Sequence, residues 1–231
     1  MTADPRDAGT PGGERFRVLH VCTGNICRSP MAERLMRAGL LARLGEGAAA
    51  FVVESAGTWG HTGSPMEPGA LSTLTSYDLD GADFRARELL AEHVAGADLV
   101  LTATREHRSA AVVLHPRASA YTFTLREFAR LTALVDIAAL PTGDPVARAR
   151  AAVTATAASR GLRPPASPSE DDVGDPYQAP PSVFAACAEL VDTAVQRALD
   201  VLAGRPPSSS GARTVAAPPS ARGATSDVLG S

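Results

Sequence analysis

The chain has 231 residues, 45% of them hydrophobic, which is enough for one α/β domain with a substantial core. Its net charge of −3 provides no basic surface for nucleic acid, so nucleic-acid binding is excluded as a first hypothesis. No apolar run is long enough to cross a membrane and the first residues lack a signal pattern, so we expect a cytoplasmic protein with no membrane insertion. The cysteines and histidines show no metal-ligand spacing, so we expect no metal or cofactor.

The two ends of the chain differ in composition from its middle. Residues 1–14 are rich in Gly, Pro and charged residues, and residues 204–231 are rich in Ser, Pro, Gly and Ala. Such segments cannot bury enough apolar surface to fold, so both are predicted to be disordered tails. Residues 15–203 then form a single predicted domain.

Apolar runs alternate with helical patterns along this domain. Strands are predicted at 16–21, 50–54, 99–102 and 120–125, and helices at about 30–44, 66–77, 86–95, 105–114, 126–136, 145–160 and 181–203. Alternation of this kind predicts an α/β fold with a central four-stranded parallel sheet and helices on both faces.

The stretch from about 126 to 174 is long for a connection in such a fold, so it must carry structure of its own. We expect helices in its first two thirds and a loop over 163–174, whose Pro-, Ser- and Asp-rich composition argues for mobility. That loop leads directly into Asp175-Pro176-Tyr177.

The first strand ends in a loop that has the composition of an anion-binding site. Residues 22–28 read Cys-Thr-Gly-Asn-Ile-Cys-Arg, and a helix is predicted to begin near Pro30. Loop N–H groups and the positive end of the helix dipole would converge on the Cys22 thiol and favour its anionic form. Arg28 offers paired donors for phosphoryl oxygens, and the Ser29 hydroxyl can donate to the thiolate. The pattern predicts a cysteine-based phosphatase.

Three blocks of the sequence resemble the low-molecular-weight protein tyrosine phosphatases. They are residues 21–33, 55–58 (Ser-Ala-Gly-Thr) and 175–177 (Asp-Pro-Tyr). The resemblance covers roughly residues 15–203 and implies a phosphocysteine intermediate on Cys22, with Arg28 holding the phosphoryl group and Asp175 acting as general acid and then base. It also implies a phosphotyrosyl protein as substrate, such as a bacterial tyrosine kinase. Arginine stands at all 22 basic positions, which suggests a bacterial gene of high GC content.

The remaining predicted site residues bind the substrate or support the loop. Within the loop and just after it they are Thr23, Gly24, Asn25, Ile26, Cys27 and Ser29. Trp59 and Tyr177 are predicted to form the apolar walls of a slot for the phosphotyrosyl ring. A deep slot selects phosphotyrosine, because the shorter phosphoserine cannot bring its phosphorus down to the thiolate.

One position departs from the family pattern. Many relatives have a loop-supporting histidine shortly before an Ala-Arg pair, where this chain has Phe84. Either another group supports Asn25 and Ser29, or packing alone holds the loop. Of the histidines elsewhere, we expect His20 to be a satisfied core residue and His107 to be a surface or capping residue.

Three other functions are weighed against tyrosine phosphatase activity. Arsenate reduction on the same scaffold relays electrons through two further cysteines, and only Cys187, an expected core residue, lies outside the loop. Phosphoarginine phosphatases carry Thr where this loop has Ile26, whose apolar side chain favours an aryl phosphate. A non-catalytic phosphotyrosine-binding module would have lost the nucleophile or the acid, whereas Cys22 and Asp175 are both present.

Cys27 is a candidate partner for the nucleophile in redox chemistry. It lies five residues after Cys22 in a loop that curls round one oxyanion, so their Cα atoms could come within the roughly 4.4 to 6.8 Å that a disulfide requires. A neighbouring thiol that captures the sulfenic acid protects a reactive thiolate from irreversible oxidation. The alternative is that Cys27 fills the loop interior. The sequence does not indicate an oligomeric state.

Overall fold

A parallel sheet forms the centre of the computed structural model, which describes residues 14–59, 61–165 and 167–205. Its strands are β1 (Phe16–Cys22), β2 (Phe51–Gly57), β3 (Leu99–Thr102) and β4 (Thr122–Thr124), in the spatial order β2-β1-β3-β4. The register places Cys22 opposite Gly57 and Val21 opposite Thr102. Parallel strands end at one edge of a sheet, so the segments that follow β1, β2 and β3 meet there. The predicted four-stranded parallel sheet is confirmed.

Helices cover both faces of the sheet, as predicted. In the described part of the chain they are α1 (Arg28–Leu44), α2 (Pro68–Thr75), α3 (Ala91–Ala95), α4 (Arg105–Leu114), α5 (Leu125–Leu131), α6 (Pro145–Ala158) and α7 (Pro181–Leu202). Helices α1, α5, α6 and α7 contribute to the larger core on one face, and α3 and α4 contribute to a smaller core on the other.

The side chains of β1 enter both cores. Phe16 and Val18 belong to the larger core, whereas Leu19 and Val21 belong to the smaller one. Successive strand residues point to opposite faces, so a strand with helices on both sides needs apolar residues at nearly every position. This double burial explains the apolar run that predicted the strand.

His20 lies in the same strand and is buried in the core, as predicted, but it is not satisfied. Its Nε2 is without a hydrogen-bond partner among the residues described. Burial, with a smaller contribution from the charge of Arg37, lowers the pKa of His20 to about 3. The imidazole is therefore neutral near pH 7.

The helix predicted at 86–95 is wrong over its first half. Only Ala91–Ala95 is helical, and the preceding residues run extended beside the end of β2. The Gly57 N–H donates to the Arg87 carbonyl at 2.9 Å, and the Leu89 N–H donates to the Gly57 carbonyl at 2.7 Å. Pairing with this sheet edge satisfies the backbone and outcompetes the helical pattern of the sequence.

The 126–174 segment contains α5, short 3₁₀ helices, α6 and a last 3₁₀ turn at Pro168–Asp171. Its final residues make specific contacts, although their composition argues for mobility. Arg130 forms an ion pair with Asp171 at 2.9 Å, and the Val173 N–H donates to the Ala103 carbonyl at 2.8 Å. The end of the segment is therefore attached to α5 and to the residues after β3.

The predicted disordered tails lie almost entirely outside the described residues, which exclude 1–13 and 206–231. Their disorder stays a prediction. Within the described ranges, no helix combines the length and the apolar character needed to span a bilayer.

Candidate active site

The loop of residues 22–28 connects the end of β1 to the start of α1. The segment after β2 holds it in place, because the Thr58 N–H donates to the Cys22 carbonyl at 2.9 Å. Asn25 has a φ of 56°, a left-handed conformation that Asn tolerates better than most residues. This residue allows the loop to curl where the sequence predicted a phosphate-binding turn.

A buried hydrogen-bond network supports the loop from behind. Asn25 Nδ2 donates to the hydroxyl oxygens of Ser29 and Ser55, each at 2.9 Å. Its Oδ1 accepts from the Arg87 N–H at 2.9 Å. Ser55 in turn donates to Glu33 Oε2 at 2.6 Å. All hydrogen-bonding atoms of the Asn25 side chain are therefore engaged, which keeps its amide in one orientation.

This network shows what supports the loop in the absence of the family's histidine. Phe84 is buried in the larger core, and the Ser55 hydroxyl and the Arg87 backbone N–H are hydrogen-bond partners of Asn25. Both Ser55 and Glu33 stand in the sequence blocks that carry the resemblance, but sequence reasoning did not assign them this role.

The Cys22 thiol is buried at the carboxyl end of β1, with its Sγ 2.9 Å from Ser29 Oγ. The Ser29 oxygen accepts a hydrogen bond from Asn25, so its own hydrogen is free to be donated to the sulfur. A hydroxyl donor is a favourable partner for a sulfur anion. The geometry therefore suits a nucleophilic thiolate.

The Arg28 guanidinium is buried and held by three acceptors. Its Nη1 donates to the Val173 carbonyl at 3.1 Å, and its Nη2 donates to the Thr23 hydroxyl at 3.1 Å. Nη2 also forms an ion pair with Asp175 Oδ2 at 2.5 Å. The side chains of Arg28 and Asp175, which are 147 positions apart, thus meet beside Cys22.

His107 is buried, which contradicts the expectation of a surface residue. Its backbone N–H is capped by Thr104, but its ring also lies between two hydroxyls: Nε2 is 2.9 Å from Thr23 Oγ1, and Nδ1 is 2.7 Å from Thr104 Oγ1. Burial and the positive charge of Arg28 lower the pKa of His107 to about 4, although Asp175 opposes the shift. A neutral imidazole therefore supports the loop near pH 7.

A cavity of about 150 Å³ opens over the loop. Every predicted site residue except Asn25 and Ser29 lines it, and those two lie in the network behind the loop. Trp59 and Tyr177 contribute to its lining and are 69% and 47% exposed, respectively. Their position and exposure suit the predicted walls of a slot for an aromatic ring.

His61 also lines this cavity, and sequence reasoning missed it. Its ring contacts Trp59 edge to face, with 5.8 Å between the centroids. A Cβ atom at Gly24 would lie 2.7 Å from His61 Cδ2, so a larger residue at this loop position would displace the ring. The spacing of two residues from Trp59, within one loop, is the signal that could have identified His61.

The other two thiols differ from Cys22 in their surroundings. Burial, with the nearby Cys22 and Asp175, raises the pKa of Cys27. Burial also raises the pKa of Cys187 to about 11, and this side chain belongs to the larger core, as predicted. Both groups therefore stay protonated at neutral pH. In the described ranges, no group of three or more His, Cys, Asp or Glu residues could hold a metal ion.

The sequence model for the low molecular weight phosphotyrosine protein phosphatases matches residues 17–157. The chain belongs to this family. A low molecular weight protein-tyrosine-phosphatase of Streptomyces coelicolor is 33% identical over 182 residues, which cover 78% of this chain and 88% of the relative. A protein-arginine-phosphatase of Geobacillus stearothermophilus is 37% identical over 113 residues, which cover 49% of this chain and 71% of the relative.

A solved structure agrees with this membership. The low molecular weight protein tyrosine phosphatase from T. tengcongensis shares 29% identity with a TM-score of 0.56, and the match covers 80% of this chain and 98% of that one. The predicted family, fold and enzyme class, a protein tyrosine phosphatase, are confirmed. Asp175 and Tyr177 lie beyond the residues that the family model matches, so their assignment rests on the Asp-Pro-Tyr block and on the geometry.

Proposed function

We propose that the protein hydrolyses phosphotyrosine in cytoplasmic proteins through a phosphocysteine intermediate on Cys22. The observation that carries the proposal is that the Cys22 thiol, the Arg28 guanidinium and the Asp175 carboxylate face one cavity whose floor is a curled loop at the start of a helix. The name of the S. coelicolor relative supports the same substrate class.

Binding of the phosphoryl group uses the loop and Arg28. Loop N–H groups and the positive end of the α1 dipole stabilise phosphoryl oxygens, and the arginine supplies paired donors. Arg28 Nη2 donates to Asp175 Oδ2 in the structure. A phosphoryl oxygen replaces that carboxylate as the partner of Arg28, which leaves Asp175 free to face the leaving oxygen.

Two displacements then complete the reaction. Asp175, once released from Arg28, takes up a proton from water. The Cys22 sulfur then forms a bond to phosphorus while the bond from phosphorus to the tyrosine oxygen breaks, and Asp175 gives that proton to the tyrosine oxygen. Water next attacks the phosphocysteine and gives a proton to the Asp175 carboxylate, while the bond from sulfur to phosphorus breaks. Inorganic phosphate leaves and the thiolate is restored. The intermediate divides one difficult displacement into two easier ones.

The lining of the cavity favours an aromatic substrate. Trp59 and Tyr177 offer aromatic surface beside the cavity, and the buried position of Cys22 requires a substrate long enough to reach it. Phosphotyrosine meets both conditions, whereas phosphoserine is too short. A bacterial tyrosine kinase carrying phosphotyrosine is the partner we propose.

Phosphoarginine is the second candidate substrate, because the G. stearothermophilus relative is named a protein-arginine-phosphatase. Ile26 lines the cavity and has no hydroxyl to meet a guanidinium nitrogen, whose desolvation would be uncompensated. We expect a higher kcat/KM on phosphotyrosyl than on phosphoarginyl peptides, and Ile26→Thr should shift the ratio toward phosphoarginine. Equal rates on both substrates in the unmodified protein would contradict the preference.

The other two hypotheses have less support. Arsenate reduction would need a relay of further thiols, and Cys187, the one cysteine outside the loop, is buried in the core. A binding module without activity would not need an acid beside its nucleophile, and Asp175 lines the same cavity as Cys22.

Substitution of the nucleophile and the acid tests the proposed reaction. Cys22→Ser should abolish hydrolysis of a phosphotyrosyl peptide but keep its binding, and Asp175→Ala should slow formation of the intermediate by roughly 10² to 10⁴. Cys187→Ser, which removes a core thiol, is the matched control and should retain activity. Rapid-quench detection of a phosphorylated cysteine measures the first step directly. Substantial turnover by Cys22→Ser would overturn the mechanism.

A further inference from the structure

A second cleft, of about 310 Å³, lies between α5, α7 and the last part of the 126–174 segment. Its charged lining consists of Arg126, Arg130, Arg163, Arg197, Glu170 and Asp171. Four guanidinium groups against two carboxylates give this lining a charge of +2. The whole chain carries −3, so the cleft is a local positive region on an acidic protein.

The floor of the cleft is rigid. Arg130 Nη2 donates to both carboxylate oxygens of Asp171, at 3.0 and 2.9 Å, and both side chains are largely buried. Arg126 Nη1 donates to the Asp172 carbonyl at 2.9 Å. Because Asp171 is occupied by Arg130, it does not neutralise the arginines at the rim.

The rim is formed by arginines that point to solvent. Arg163 and Arg197 are exposed and line the cleft from opposite elements. The backbone carbonyl of Arg163 accepts from Arg130 Nη1, which attaches the rim to the floor. Leu190 on α7, 44% exposed, adds an apolar contact surface to the same cleft.

The cleft is close to the catalytic cavity. Asp171 lines the cleft and Asp175 lines the cavity, and their Cα atoms, four positions apart in the chain, are at most about 14 Å from each other. Val173 between them donates to the Ala103 carbonyl and accepts from Arg28. The chain between the two sites is therefore attached to the body of the molecule, and the two sites are neighbours in the fold.

We propose that this cleft binds an acidic stretch of the phosphoprotein substrate, with carboxylates close to the phosphotyrosine in its sequence. The proposal rests on the proposed function and adds a substrate class to it. Guanidinium forks match carboxylates in geometry as well as in charge.

The expected effect is a preference among substrates. An exposed ion pair contributes about 1.4- to 5-fold in affinity, so two rim arginines should raise kcat/KM for an acidic phosphotyrosyl peptide by about 2- to 25-fold over its alanine counterpart. The difference should appear mainly in KM, because the rim does not contact the reacting atoms. Peptides with the acidic residues before or after the phosphotyrosine show which direction the chain takes.

A pair of double variants tests the proposal. Arg163→Gln with Arg197→Gln removes the rim, and Arg15→Gln with Arg117→Gln removes the same charge from exposed positions outside the cleft. Each protein is assayed with the acidic peptide, the alanine peptide and p-nitrophenyl phosphate. Only the rim variant should lose the preference, and both variants should keep wild-type rates on p-nitrophenyl phosphate.

Three results would overturn the cleft proposal. The first is that the wild-type protein shows no preference for the acidic peptide. The second is an equal loss of the preference in both double variants, which would indicate general electrostatic steering. The third is that binding to vesicles of anionic lipid requires the rim arginines while the peptide kinetics do not. If no phosphotyrosyl substrate is hydrolysed, the proposed function fails and the cleft is tested by titration with the unphosphorylated acidic peptide. Weaker binding to the rim variant alone would support the cleft, and equal binding would contradict it.

Discussion

His107 illustrates how one buried side chain connects the loop to the rest of the molecule. Its Nε2 contacts the Thr23 hydroxyl, whose oxygen also accepts a hydrogen bond from Arg28. His107 and Arg28 therefore both contact the Thr23 hydroxyl, and movement of one group would disturb the other. We assign His107 as a positioning residue, since it reaches the phosphoryl site through Thr23.

Removal of this support should reduce activity without abolishing it. We expect His107→Ala to lower kcat/KM on p-nitrophenyl phosphate roughly 5-fold, because one net hydrogen bond contributes about 1 kcal/mol. His107→Gln, which can still bond to Thr23, should recover part of the loss. The control is His115→Ala at the end of α4, outside the cavity. Equal activity of His107→Ala and the wild-type protein would remove the positioning role.

Cys27 allows a test of the redox hypothesis. It lines the same cavity as Cys22, so its sulfur can attack a sulfenic acid on Cys22 to form a disulfide while water leaves. After peroxide and then a dithiol reductant, the wild-type enzyme should recover activity and Cys27→Ser should not. Cys187→Ser should recover like the wild-type enzyme. The same recovery in the Cys27 variant would show that this thiol gives no protection.

At the scale of elements, the end of β2 is the part of the sheet that shapes the loop. Gly57 lies at the last position of β2, opposite Cys22, and the phosphate-binding loop passes directly over it. A Cβ atom there would lie 2.5 Å from the Thr23 carbonyl oxygen and 2.9 Å from the Asn25 nitrogen. These are backbone atoms, so they cannot rotate away as a flexible side chain could.

Gly57→Ala should therefore displace the loop. We expect a loss of about 1 to 3 kcal/mol in the free energy of unfolding, as for other overpacked sites, together with a large fall in kcat. Gly47→Ala is the matched control, because a Cβ atom there meets only Leu44 Cβ, at 3.5 Å. Urea unfolding and p-nitrophenyl phosphate turnover measure both effects, and wild-type values for Gly57→Ala would contradict the close approach.

At the scale of the whole molecule, two buried neutral histidines connect stability to pH. The pKa of His20 is lowered to about 3 and that of His107 to about 4, chiefly by burial. An unfolded histidine titrates near 6.5, so below that pH the unfolded chain binds more protons than the folded one. Protonation thus favours unfolding from about pH 6.5 downward, until each folded histidine also titrates.

The free energy of unfolding should consequently fall as pH decreases from 7 to 4. Each histidine contributes at most about 1.4 kcal/mol per pH unit. His20→Leu should give a shallower dependence, because it removes one of the two groups. Urea unfolding at several pH values measures the slopes, and parallel curves for His20→Leu and the wild-type protein would contradict this account.

The sequence by itself determined the strand and helix alternation, the phosphate-binding loop and the family. These features are local: the residues of the loop are contiguous between one strand and one helix, and periodic burial is visible in the order of the residues. The Asp-Pro-Tyr block was recognised in the same way, although its contact with Arg28 spans 147 positions.

Only the tertiary structure decided which distant groups meet at the carboxyl edge of the sheet. Three contacts depend on how the crossovers bring separate segments together. They are Ser55 with Asn25, His107 with Thr23, and the extended pairing before α3 where the sequence predicted a helix. The same holds for the second cleft, whose lining comes from α5, α7 and the end of the 126–174 segment. A residue pattern encodes which element forms, but contacts between elements depend on packing that no single segment contains.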